Sequence, residues 1–199
     1  MKKFVKPLVI AICAVLLVAG SVAGTLAYLT ATSEAVTNTF TVGNITIALD
    51  EAQVDVYGEE VAPDSRVKDN SYKLVPGRTY KKDPTIHVTK GSEACYLFVK
   101  IENNIADVVT TDSVAAQLTN NRWTLLTGNV YYYENVVDAS TAEADVDVAV
   151  FESFAVDAEA ESADIADCNG KTIVVTAYAV QSHGFDDATD AWVGTFGKT

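Results

Sequence analysis

The 199-residue chain carries 27 acidic and 14 basic residues, a formal net charge of −13. That balance excludes nucleic acid as a partner, because neutralising phosphates needs a basic face. The acidity itself reads as solubility and self-repulsion, and the acidic runs near 138–147 and 186–190 lack the spaced carboxylates and central glycine of a calcium loop.

The first segment is the most informative. Lys2, Lys3 and Lys6 precede an apolar run over 8–18, which leads into small residues over 19–27. Eleven apolar residues are too few for a bilayer-spanning helix, which needs roughly 20, so 1–27 reads as a cleaved signal peptide and membrane contact is confined to the uncleaved form. Thr25 and Ala27 supply the small side chains that a cleavage pocket selects, placing the cut between Ala27 and Tyr28. Residues 28–199 then form one domain, with 11 basic residues against 27 acidic and a net charge of −16. Cys13 leaves with the signal. Cys95 and Cys168 remain, and they could form one disulfide outside the cell or stand as two separately buried thiols.

The stretch 28–42 is β-prone through Thr30, Thr32, Val36, Thr37, Thr39 and Phe40. Phe40 and Val42 are apolar at even positions, whereas Ile45, Ile47 and Leu49 are apolar at odd ones. Side chains alternate faces along a strand, so this parity switch predicts a bulge or corner at Gly43 and sets 28–42 apart as an N-terminal arm.

Further along, Val75-Pro76-Gly77-Arg78 places Pro and Gly at the central positions of a type II turn. Strands are expected over 85–89 and 95–101, joined as a hairpin through Lys90-Gly91-Ser92. Residues 112–118 read as a helix capped by Asp112. Strands follow over 123–126 and 130–133 with Gly128-Asn129 turning between them, and over 146–154. Alternation puts the Tyr131-Tyr132-Tyr133 run partly in the core. The 155–167 stretch fits helix or loop equally. The β-branched stretch 172–181, apolar on nearly both faces and entered through Asn169-Gly170, is expected as a central strand, with a second short helix over 186–192. Many short strands with little helix make an all-β, antiparallel β-sandwich.

The segment Gly24-Thr25-Leu26-Ala27-Tyr28-Leu29-Thr30, with Val36-Thr37-Asn38-Thr39-Phe40-Thr41-Val42-Gly43-Asn44-Ile45 after it, resembles the TasA and camelysin family. The stretch from Leu74 to Pro84 with Tyr96-Leu97-Phe98-Val99-Lys100-Ile101, and Ala177-Tyr178-Ala179-Val180-Gln181 near the end, are similar to that family's hairpin region and closing strand. The resemblance implies a jelly-roll-like sandwich, export through a SipW-type signal peptidase, and a place on the cell surface or in biofilm-matrix fibres, as a homo-polymer or with other matrix proteins. Donor-strand exchange is the assembly mode expected, through an arm carrying Tyr28, Leu29, Val36 and Phe40. It does not extend to 136–167.

Camelysins are classed as metallopeptidases, and a surface metallopeptidase or a non-polymerising adhesive module are the competing readings. The residues weigh against the first. His87 and His183 do not form a His-Glu-x-x-His arrangement, and His87 sits on a strand while His183 falls in the loop after the closing strand. Ser182, His183 and Asp186 or Asp187 lack a nucleophile elbow. No catalytic residue, metal or cofactor is expected.

Overall fold

The computed structural model describes residues 43–197. The signal segment, the Ala27–Tyr28 cut and the arm residues Tyr28, Leu29, Val36 and Phe40 lie outside the described residues.

Ten strands and three short α-helices follow the chain as β1 (Ile47–Ala52), β2 (Arg66–Val67), β3 (Thr79–Lys81), β4 (Thr85–Val88), β5 (Cys95–Asn103), α1 (Thr111–Asn120), β6 (Trp123–Thr127), β7 (Val130–Tyr133), β8 (Val146–Ala149), β9 (Ser153–Ala155), α2 (Ser162–Asp167), β10 (Ile173–Gln181) and α3 (Ala188–Phe196). One four-stranded sheet runs β2-β1-β4-β8, another β10-β5-β7-β6, and β3 pairs with β9 apart from both. Every strand pair is antiparallel, so the all-β expectation holds.

The two larger sheets bury one core. Ile86 and Val88 from β4 and Val148 from β8 pack with Leu97 and Val99 from β5 and Trp123 from β6. Alternation along each strand puts these residues on the inner face. Ile45, Ile47 and Leu49 pack against the same core, in keeping with their shared odd parity. At Gly43 itself the exposed Glu93 carboxylate lies where a Cβ would project.

Several local expectations are met. Arg78 N–H donates to Val75 O at 3.2 Å and Gly77 takes φ 75°, the geometry expected of the Pro-Gly turn. Tyr131 and Tyr133 pack on the main core while Tyr132 faces the other way. The short helix expected over 186–192 forms as α3, and Asp187 caps it by accepting from Asp190 N–H at 2.9 Å.

Other expectations are corrected. The pair 85–89 and 95–101 is not a hairpin: β4 bonds to β1 and β8, β5 bonds to β10 and β7, and Lys90-Gly91-Ser92 carries the chain from one sheet to the other. The stretch 146–154 is two strands, because Val150 and Phe151 turn into the core between β8 and β9. The N-cap of α1 falls at Thr110, not Asp112. The 155–167 stretch is loop followed by the short α2.

The largest correction concerns 172–181. Among the described residues β10 is an edge strand, bonded to β5 alone. Its two faces are both apolar for a different reason than centrality. Val175, Ala177 and Ala179 face the sandwich core, and Tyr178 and Val180 face a second cluster built on Trp192 of α3. A helix covering the outer face gives the same composition as a flanking strand would.

Candidate functional site

The edge position of β10 creates the most distinctive site of the molecule. At the two ends of its ladder, Asn104 N–H donates to Thr172 O at 3.0 Å and Ser182 N–H donates to Ala94 O at 2.9 Å. Backbone bonding alternates along an antiparallel pair, so the even-numbered residues of β10 hold β5. Ile173, Val175, Ala177 and Ala179 therefore turn their N–H and C=O groups to the open side. Across from this edge lies β1, whose partner β2 reaches only Glu51 and Ala52. Among the described residues, the outer side of Ile47–Asp50 thus faces no strand. Two edges that are unpaired among the described residues, one from each sheet, border the same seam.

Beside them opens a cavity of about 830 Å³. Leu49, Ile105, Phe154, Ile173 and Val175 give it apolar walls, and Lys68, Lys73, Lys82 and Lys171 stand around it. The loop that closes its far side is pinned to β1 through Asn70, whose amide donates to Ala52 O at 2.9 Å and Glu51 Oε1 at 3.0 Å while accepting from Val54 N–H at 3.0 Å. Lys82 pairs with Glu51 at 2.7 Å, both side chains being nearly buried, and that pair neutralises the one buried acid of the site.

On β1 the seam wall joins a charged row that crosses the first sheet. His87 on β4 donates from Nε2 to Asp50 of β1 at 2.9 Å and from Nδ1 to Asp147 of β8 at 2.6 Å. Arg66 of β2 bonds Asp50 through Nε and reaches the Asp83 carboxylate at 3.4 Å. A neutral imidazole has one N–H and one bare nitrogen, so carboxylates against both nitrogens call for the imidazolium. Burial opposes the charge on His87, but the hydrogen bonds and charges of Asp50 and Asp147 outweigh it and raise its pKa. Burial likewise opposes ionisation of Asp50, and the bonds from Arg66 and His87 hold its carboxyl below the ordinary value. His87 ties β4 to β1 and β8, and Arg66 extends the tie to β2.

The other candidate residues do not converge. His183 lies in the loop after β10, as expected, and Ser182 Oγ donates to Ala94 O at 3.1 Å. His87 has carboxylates on opposite ring nitrogens rather than a shared vacancy, and among the described residues no group of three or more His, Cys, Asp and Glu side chains could hold a metal ion.

Cys95 and Cys168 are both free and both buried, so of the two sequence alternatives the structure takes separate thiols and the bridge is corrected. The physical reason is distance. Cys95 opens β5 and packs in the main core, whereas Cys168 packs with Ile105 and Val108 beyond the strand's other end. Eight steps at about 3.3 Å each separate those ends, roughly 25 Å, against the 7 Å that a disulfide spans at most. Burial, with Asp138 nearby, pushes the Cys95 thiol up to about 11, where it is neutral and unreactive.

Sequence reasoning missed the seam. Strand alternation reports which faces are covered and carries no information about which edges are paired. The lysines that surround the cavity come from three separate stretches of chain, around 68–74, 82 and 171, with no local motif. Comparison with protein-family models, with curated proteins and with solved structures returns no match. What the described residues define is therefore an all-β protein of antiparallel sheets with one seam left unsealed among them.

Proposed function

We propose that this chain is an exported structural protein of the bacterial cell surface or biofilm matrix, whose copies join by strand donation. The arm 28–42 of one copy enters the seam between β10 and β1 of the next. The observation that carries this reading is the coincidence of an apolar-walled cavity with two strand edges that are unpaired among the described residues. An extended segment can satisfy the free backbone groups of such an edge while its alternate side chains fill the pockets. Val36 and Phe40 of the arm are suitable occupants, each contributing about 1.5–3 kcal/mol on full burial.

Donor and acceptor sit at different places on each copy, so the contact is head-to-tail and propagates into a filament. Cleavage between Ala27 and Tyr28 by a SipW-type peptidase is the switch in this scheme, because the uncut signal holds the arm at the membrane. Support for export comes from the signal-like segment 1–27, and support for TasA-like assembly and jelly-roll wiring from the family resemblance of 24–45 and 177–181.

Electron microscopy tests the scheme. Protein beginning at Tyr28 forms filaments, and deletion of 28–39 leaves folded monomers. Filaments from the truncated chain at an undiminished rate would place assembly on another surface.

A further inference from the structure

The charges around the seam run against those of the molecule. Of the acids and bases bordering the cavity, Glu51 is neutralised by Lys82 and Asp50 by Arg66 and His87. What is left is Lys68, Lys73 and Lys171 against the single acid Asp69. Lys73 lies 5.9 Å from the centre of the Tyr57 ring, and Lys68 and Lys171 have no ion-pair partner among the described residues. A local excess of cations, beside apolar walls and on a chain of net charge −13, selects an acidic occupant.

The arm supplies one. Among residues 28–42 the sole charged side chain is Glu34, and it is even-numbered like Val36, Phe40 and Val42. In an extended strand those four share one face, with Glu34 about 6.6 Å beyond Val36. The acceptor has the matching order: Ile173 and Val175 provide apolar surface at the β10 edge, and Lys171 stands just before the strand begins.

We propose that Glu34 of one copy pairs with Lys171 and Lys68 of the next, and that this pairing sets the direction and register in which the arm enters the seam. The inference rests on the strand-donation reading above. Register needs such a device, since a slip of one residue would turn Glu34, Val36 and Phe40 together to the wrong face. A partly exposed ion pair adds little binding energy and acts instead on encounter and orientation, so its signature is a salt-dependent rate.

The experiment follows filament elongation by light scattering and electron microscopy, using protein that begins at Tyr28. Wild type, Glu34→Lys, the double variant Lys68→Glu/Lys171→Glu and the combined triple variant are compared at low salt and at about 1 M salt. Lys68→Gln/Lys171→Gln runs beside the double variant, because it removes the cations without adding acids next to Asp69. The expected result is elongation slowed about 10-fold at low salt by Glu34→Lys and by either double variant, recovery in the triple variant, and differences that fade at high salt. Wild-type filaments with an unchanged Glu34→Lys rate, or no recovery in the triple variant, overturn the pairing and leave strand donation standing. Absence of wild-type filaments, or filaments that form without the arm, overturns strand donation and the pairing with it.

Discussion

The two long seams of this molecule are treated in opposite ways. Where β8 and β6 meet, side chains stitch the sheets together. Trp123 Nε1–H donates to Ala149 O at 2.9 Å, Asn121 Nδ2–H to Val150 O at 3.2 Å, and Gln117 both donates to Ser153 O and accepts from Glu152 N–H. These bonds come from α1 and the start of β6 and satisfy backbone groups that would otherwise lie open. Where β10 and β1 meet, no equivalent stitching closes the edge among the described residues, and a cavity takes its place. One seam is finished within the chain. The other is left open among the described residues, and the contrast marks the seam on which the strand-donation proposal rests.

Mutations can break this comparison from either side. The largest effect is expected at Trp123, which is 2% exposed in the main core. Trp123→Ala removes the ring and its bond to Ala149 and lowers unfolding free energy by about 3–5 kcal/mol in urea titrations. On the open side, proline scanning reads the edge directly. Thr176→Pro removes an N–H that holds β5 and costs about 3 kcal/mol, whereas Ala177→Pro removes one that faces the open seam. Ala177→Pro is the milder change in melting experiments, yet it stops filament growth. Equal destabilisation by the two would contradict the assignment of which residues face out.

At the stitched seam, Gln117→Ala strands the backbone of Ser153 and Glu152, with a loss of about 1–3 kcal/mol and no effect on elongation rate.

The smallest effect is that of the charged row. The raised pKa of His87 gives stability that is complete below the ordinary histidine value and lost as pH rises through the folded-state pKa. The lowered pKa of Asp50 gives stability present above the ordinary carboxylate value and lost as pH falls through the folded-state pKa. Between those limits the row is intact. His87→Gln therefore flattens the alkaline decline of the melting temperature and costs about 1 kcal/mol or less at mildly acidic pH, since the Asp147 partner is 62% exposed. An NMR titration of His87 shows the raised midpoint.

These contrasts also explain how much could be read from the sequence. Elements with their own local chemistry were legible: the Val75-Pro76-Gly77-Arg78 turn, the short helix near 186–192 and the alternating strand over 95–101 follow from residues a few positions apart. Sheet membership was not. Lys90-Gly91-Ser92 looks like a hairpin loop, and only the placement of β4 and β5 in different sheets makes it a crossing. β10 reads as central because α3 hides its outer face, and the apolar pattern of Val175, Ala177, Tyr178 and Val180 cannot tell a covering helix from a flanking strand. The sequence left the two cysteine alternatives open for a related reason: pairing depends on which ends of β5 Cys95 and Cys168 lie near, a matter of tertiary order.

Hydrogen exchange at the β10 edge tests the central claim most directly. Residues 43–199 are titrated with a peptide of residues 28–42, and amide protection along β10 is read by NMR. The account predicts that Thr176 and Tyr178, already bonded to β5, change little, while Ile173, Val175 and Ala177 gain protection as the peptide adds to the open side. Peptide binding that leaves Ile173, Val175 and Ala177 exchanging as before would contradict it.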